Sequence, residues 1–73
     1  MYKNMKIEIN SEQPLDEVVK ELERLGYLRA LWDEDMVVNF VETYSYGLFS
    51  NYSKDHEPSM KNTTLAQLKQ MEN

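Results

Sequence analysis

The chain has 73 residues, 41% of them hydrophobic and eight aromatic (five Tyr, two Phe, one Trp), which suits one small folded domain and excludes a disordered segment. It contains no cysteine, which excludes a disulfide framework and a thiolate metal site and indicates a reducing cytoplasm. The net charge of −5 disfavours a nucleic acid partner, and no segment approaches the roughly 20 apolar residues of a membrane span. We therefore expect protein partners, with no direct contact to nucleic acid or membrane.

The first predicted element is a strand. Met5, Ile7 and Ile9 alternate with polar residues, the period-2 pattern of a half-buried strand. Met5 is an alternative to Met1 as the native start, because the strand needs nothing before it, and residues 1–4 would then be a frayed extension.

The stretch "SEQPLDEVVKELERLGY" predicts the main helix, over residues 14–25. Ser11 or Gln13 can cap its start, and Pro14 fits the first turn, where a missing N–H costs nothing. Gly26 supplies the left-handed residue that ends the helix, and Tyr27 can fold back on Leu22 as the hydrophobic contact of a Schellman-type stop. One face of the helix is apolar and consists of Leu15, Val18, Val19, Leu22 and Leu25.

Three more strands are predicted after the helix. The second strand covers Tyr27 to Trp32 and ends at an acidic turn, residues 33–35. The third strand covers Met36 to Thr43, a run rich in β-branched residues. A hairpin turn at "YSYG", residues 44–47, leads to the fourth strand, Leu48 to Tyr52.

The third strand is apolar on both sides and predicts that both faces of the sheet are covered. We expect Val38 and Phe40 to face the main helix, and Val37 and Val41 to lie on the opposite face. After a polar loop at residues 53–62, "TTLAQLKQM" predicts a short helix with Thr64 and Gln67 as its capping box. This helix can cover the second apolar face.

The predicted element order is β-α-β-β-β-α, a single α+β domain over residues 1–73. It has a four-stranded mixed sheet, the main helix on one face and the C-terminal helix beside or behind it. Because the main helix follows the first strand and leads at once into the second, those two strands are expected to run parallel through a right-handed crossover. The remaining strands are expected to form an antiparallel meander.

Few side chains suggest chemistry. His56 lies between Asp55 and Glu57, a set that fits a metal site, an acid/base pair or a solvated loop. Asp33, Glu34 and Asp35 fit a cation site or a solvated turn, or, with Glu42 and the outer face of the main helix, an acidic patch for a basic partner. With one histidine and two glycines, the sequence indicates no catalytic residues, no cofactor and no metal, so the protein is not expected to be an enzyme.

Aromatic residues are the strongest candidates for partner contact. Tyr44, Tyr46 and Tyr52 lie on the last hairpin, where they fit either cross-strand packing or a protein-binding patch. No Lys or Arg lies between Met36 and Ser53, which argues against base stacking. Tyrosine and tryptophan commonly anchor protein interfaces, so we expect the partner-binding residues to be Trp32, Asp33, Glu34, Asp35, Tyr44, Tyr46 and Tyr52.

The segment "MKIEINSEQPLDEVVKELERLGY", followed after a β-rich middle by "TTLAQLKQM", resembles small accessory proteins of large tailed bacteriophages. The resemblance covers nearly the whole chain and rests on structural motifs, so it transfers no catalytic or binding residue. It implies a protein that binds and inhibits a host enzyme or defence system.

The sequence thus predicts a cytoplasmic, non-enzymatic binding protein, and the resemblance implies a phage-encoded inhibitor or modulator of a bacterial host protein or defence system. One alternative is an acidic DNA mimic that occupies a nucleic-acid-binding protein, for which strong salt dependence of binding is expected. The other is a structural or self-assembling module, for which a homodimer is expected.

Overall fold

The computed structural model describes residues 2–72 and confirms the α+β fold class and the element order. One four-stranded mixed sheet carries two helices. The question of Met1 as the native start lies outside the described residues. The elements are β1 (Met5–Glu8), α1 (Leu15–Arg24), β2 (Leu28–Arg29), β3 (Phe40–Thr43), β4 (Leu48–Tyr52) and α2 (Leu65–Gln70).

The strand order is β1-β3-β4-β2, which corrects part of the predicted topology. β1 and β2 do point in the same direction, because β1 is antiparallel to β3, β3 is antiparallel to β4, and β4 is parallel to β2. They lie at opposite edges of the sheet, however, and β2 does not pair with β3. The predicted meander is therefore wrong beyond the β3–β4 hairpin, since β2 pairs in parallel with β4 and β3 pairs with β1.

The second and third strands are shorter than predicted. β2 has two residues instead of the six from Tyr27 to Trp32, because the backbone of Leu31 turns into the left-handed region at φ 50°. β3 begins at Phe40 instead of Met36, and Val37 is 77% exposed. The β-branched run at residues 36–39 therefore belongs to the connection that carries the chain from one sheet edge to the centre.

The core lies between the sheet and α1. Ile7, Val41 and Phe49 are fully buried on the helix-facing side, together with Val18 and Leu22 of α1. The predicted facing is wrong for Val41, which lies in this core, whereas Val38, which precedes β3, does pack against the core. Phe40 lies on the other face, where the Lys6 ammonium sits 5.9 Å from its ring centroid.

Helix α2 packs beside α1 and does not cover the second face of the sheet. One Arg24 nitrogen, Nη2, donates to the carbonyl oxygens of Leu68 (3.0 Å) and Met71 (3.1 Å), at the end of α2. The predicted capping box is confirmed, with the N–H of Gln67 donating to Thr64 Oγ1 and the N–H of Thr64 donating to Gln67 Oε1. The segment at residues 53–62 covers part of the second face instead.

The start of α1 differs from the prediction, whereas its end agrees with it. Pro14 is the N-cap and supplies no side-chain cap, and Gln13 Oε1 instead accepts the N–H of Leu65 in the first turn of α2. At the other end, Gly26 has φ 95° and the N–H of Tyr27 donates to the carbonyl of Leu22 at 3.0 Å. This is the predicted Schellman-type stop.

Residues 2–4 are attached to the domain, which corrects the expectation of a frayed extension. The Tyr2 ring packs edge-on against Tyr27, with 4.9 Å between the ring centroids. The N–H of Lys3 donates to the Tyr27 hydroxyl at 2.8 Å, and Asn4 Oδ1 accepts the N–H of Ser45 at 2.8 Å. These contacts hold the segment between the end of α1 and the hairpin turn.

Replacing Gly26 by alanine is expected to lower the free energy of unfolding by about 1 to 2 kcal/mol. The backbone has φ 95°, and an added Cβ would lie 2.9 Å from the Tyr2 hydroxyl oxygen. Urea unfolding measures the change. A Tyr2→Phe background removes the close contact and leaves the backbone strain, so Gly26→Ala should lose less stability there but should still be destabilising. If Gly26→Ala caused no loss in this background, the positive φ at residue 26 would not contribute to the destabilisation.

Candidate partner-binding surface

The second face of the sheet, opposite α1 and α2, has a covered half and an open half. Over β1 and β3 lies the segment at residues 53–62, and Lys6 Nζ binds Asp55 Oδ1 at 2.8 Å beneath it. The backbone of the adjoining residues 61–63 continues along β1, with the Lys6 N–H donating to the Lys61 carbonyl at 2.9 Å. Over β4 and β2 no element covers the sheet in the part of the chain that the structure describes.

The covered half contains a polar cluster, which we define as Lys6, Glu42, Tyr44, Tyr52, Asp55 and His56. Glu42 is fully buried at its centre, and its Oε1 lies 3.2 Å from both the Tyr44 hydroxyl and His56 Nδ1. Its Oε2 is buried with no hydrogen-bond partner among the described residues. Glu42 therefore cannot contribute to an acidic surface patch, which corrects that expectation.

Tyr44 and Tyr52 extend this cluster towards the open half. Burial, followed by the contacts with Tyr52 and Glu42, raises the pKa of Tyr44 above its usual range, so its hydroxyl stays protonated. Because Tyr44 donates its proton to the carboxylate of Glu42, the Tyr52 hydroxyl donates to Tyr44 across their 2.7 Å contact. Both rings are thereby fixed in place at the border of the open half.

His56 is held in place, contrary to the interpretation as a solvated loop residue. Its ring stacks on Tyr52 with 4.2 Å between centroids, and its Nδ1 faces Glu42, although 56% of the side chain remains exposed. Asp55 binds Lys6 instead of a shared ion. Within residues 2–72, no three His, Asp or Glu side chains come together as a metal site would require.

The open half is a groove of about 430 Å³ that we call the tyrosine groove. Its lining residues are uncharged: Ala30, Leu31, Tyr44, Tyr46, Leu48, Ser50 and Tyr52. Tyr46 is 70% exposed and stacks on Tyr44 at 5.4 Å between centroids. Leu28, on the same face of β2, is 67% exposed. Large apolar side chains that face solvent together are typical of a binding surface.

Leu31 is the most exposed large apolar residue of this surface, at 94%, and its backbone has φ 50°. A left-handed backbone is unfavourable for leucine by about 1 kcal/mol and persists only where neighbours impose it. Two such neighbours are present. The Ser50 hydroxyl donates to the Ala30 carbonyl at 2.6 Å. Asn51 Oδ1 accepts the N–H of Asp33, and Asn51 Nδ2 donates to the Asp33 carbonyl. The fold thus holds Leu31 in a strained, solvent-facing position.

A second groove of about 400 Å³ lies on the helix-facing side of β2, and we call it the charged groove. Its floor is apolar and is formed by Leu15, Val19 and Trp32. The Trp32 indole packs edge-on against Phe49 at 5.6 Å, and the Arg29 guanidinium lies 4.6 Å above it. Its charged lining residues are Asp16, Lys20, Glu23, Arg29 and Glu34.

The predicted partner-binding residues fall on opposite faces of the sheet. Tyr44, Tyr46 and Tyr52 line the tyrosine groove, whereas Trp32 and Glu34 line the charged groove. Asp33 and Asp35 are exposed beside Glu34. Sequence reasoning missed Leu28 and Leu31, because their run was interpreted as part of a strand from Tyr27 to Trp32. The signal that could have identified them is four apolar residues, Leu28, Ala30, Leu31 and Trp32, within five positions, more than one face of a strand can bury.

No protein-family model, curated protein or solved structure matches the chain. Across residues 2–72, no helix has the length and apolar character needed to cross a membrane. The geometry of the two grooves is therefore the evidence on which a function is proposed.

Proposed function

We propose that the protein is a non-enzymatic protein-binding module whose contact surface is the tyrosine groove with Leu28 and Leu31. The main support for this proposal is Leu31, whose backbone is left-handed and whose side chain is exposed. Solvent exposure of a leucine and a left-handed leucine backbone are both unfavourable for the isolated protein. Their combination at a rigidly held position fits a residue that is buried by a partner.

The partner would be another protein that presents apolar side chains to this groove. The groove is lined mainly by tyrosine and leucine side chains, and none of its lining residues is charged. Aromatic residues are enriched and charged residues are depleted in the central part of protein interfaces. The resemblance to phage accessory proteins supports a bacterial host protein as the target, which binding would block sterically. Catalysis plays no part in this proposal.

Replacing Leu31 by asparagine separates binding from folding. Asparagine tolerates the left-handed region, so the free energy of unfolding should rise by about 0.5 to 1 kcal/mol. Partner affinity should fall at least tenfold, since the exposed apolar contact is lost. The matched control is Val37→Asn, which also replaces an exposed apolar residue (77% exposed) but lies outside both grooves.

The measurement combines affinity capture from a bacterial lysate with calorimetric titration of the purified captured protein. We expect a protein that is retained by the wild-type chain and Val37→Asn and lost with Leu31→Asn. Equal retention by all three chains would place the contact elsewhere, and a dimer of the protein alone that Leu31→Asn dissociates would indicate self-assembly instead.

A further inference from the structure

β2 ends the sheet with an open edge that lies between the two grooves. Among residues 2–72 it pairs with β4 alone, through the N–H groups of Leu28 and Ala30, which donate to the carbonyls of Gly47 and Phe49 at 2.8 Å each. In this parallel register the N–H and C=O of Arg29 point away from β4. An edge of this kind can accept an additional strand.

The geometry points to an extended segment of a partner protein that pairs with β2 and alternates apolar and basic side chains. This inference rests on the proposed binding function and specifies its partner. Successive side chains of an added strand point to opposite faces of the sheet. Those on one side would enter the tyrosine groove beside Leu28 and Leu31, and those on the other would enter the charged groove beside Arg29.

The excess of acidic residues at the charged groove favours basic side chains on the partner strand. Asp16, Glu23 and Glu34 line it, and Asp33 and Asp35 flank Glu34, against the two cations Lys20 and Arg29. Arg29 contacts Glu23 at 3.7 Å and Glu34 at 3.9 Å, and these two carboxylates are 54% and 79% exposed. They can therefore accept a further Lys or Arg from a partner strand. The tyrosine groove, which has no charged lining, selects the apolar residues.

A second copy of this chain fits the edge less well. Each copy carries a net charge of −5, so antiparallel pairing of two β2 edges brings two acidic rims together. It also places the two Arg29 side chains near each other, where each already contacts its own glutamates. A basic segment brings no second acidic rim to this edge and supplies cations to the exposed carboxylates of Glu23 and Glu34.

The probe is a blocked peptide of alternating valine and lysine, eight residues long, and the control peptide alternates valine and glutamate. Trp32 is the one tryptophan of the chain, so its fluorescence reports binding at the charged groove. We expect the lysine peptide to bind at least tenfold more tightly than the glutamate peptide, and hydrogen exchange of the Arg29 amide to slow in the complex. Equal affinities, or unchanged exchange at Arg29, would overturn the inference.

Arg29→Pro and Arg29→Val form the matched pair of variants. Both remove the guanidinium, but only proline removes the outward N–H, and proline is tolerated on an edge strand. We expect Arg29→Pro to bind the lysine peptide at least tenfold more weakly than Arg29→Val. Equal binding would contradict strand addition, and hydrogen exchange on the wild-type chain decides the question where the proline variant does not fold.

The outcomes for the two proposals are distinguishable. Loss of partner capture in Leu31→Asn together with no binding of the lysine peptide leaves the proposed function in place and rejects the strand-addition inference. A tight dimer in sedimentation, with the Arg29 amide protected in the protein alone, rejects the inference in favour of self-association.

Discussion

Replacing Phe49 by alanine is expected to leave a large fraction of the protein unfolded at 25 °C. Phe49 is fully buried at the centre of the sheet and supports the Trp32 indole, 5.6 Å away between centroids. Truncating a buried phenylalanine costs about 3 to 5 kcal/mol through lost transfer energy and an unfilled cavity. Domains of this size lie near the low end of the usual range of about 5 to 15 kcal/mol, so the loss approaches the total.

Urea unfolding followed by circular dichroism measures this effect, with Phe49→Leu as the control. Leucine keeps most of the buried volume and should cost less than about 2 kcal/mol. A Phe49→Ala protein that unfolds at nearly the same urea concentration as the wild type would show that the core between α1 and the sheet does not determine stability.

The second large effect is expected at Lys6, opposite Glu42 across the β1–β3 pair. Lys6 is 2% exposed, Glu42 is fully buried, and the cross-strand register places the two side chains on the same face. Lys6→Met removes the cation that lies on the same face of the sheet as the buried Glu42. It also removes the donor to Asp55 and to the carbonyls of Glu57 and Pro58. We expect a loss of about 3 kcal/mol in the free energy of unfolding.

A double-mutant cycle tests the cause of that loss. Adding Glu42→Met to Lys6→Met removes the buried charge as well, so the double variant should be more stable than the sum of the two single losses predicts. Asp55→Asn should cost less than about 1 kcal/mol, since that carboxylate is 41% exposed. Strict additivity in the cycle would show that Lys6 and Glu42 act independently.

The sequence predicted well those elements whose signals are local. The 3.6-residue period of α1, the Gly26 stop, the Thr64–Gln67 capping box and the Gly47 turn involve residues a few positions apart, and all of them are confirmed. β4 likewise begins and ends where predicted, at Leu48 and Tyr52.

The parts that sequence reasoning missed depend on contacts between distant segments. β2 ends early because Ser50 and Asn51, about twenty positions away, fix the backbone around Leu31. Glu42 was interpreted as a surface carboxylate, because nothing in its local sequence shows that the segment at residues 53–62 covers it. In the structure, His56 of that segment contacts Glu42 Oε1. The facing of β3 was mistaken because a strand with apolar residues on both sides carries no internal signal for which face meets the helix.

The same limit applies to the candidate site. Tyrosines and acidic residues were predicted from their types. The structure places the three tyrosines in one groove and Glu34 in another, on the other side of β2, with Asp33 and Asp35 exposed beside Glu34. The feature that joins the grooves, an open strand edge flanked by Leu28 and Leu31, becomes visible only when the strand order is known.

Hydrogen exchange of the protein in complex with its captured partner tests the central claim most directly. The proposal that function resides in the tyrosine groove and the adjoining β2 edge predicts that binding slows amide exchange chiefly at residues 28–31 and 44–48. Protection confined to the outer face of α1 or to residues 53–62, with residues 28–31 unchanged, would contradict it.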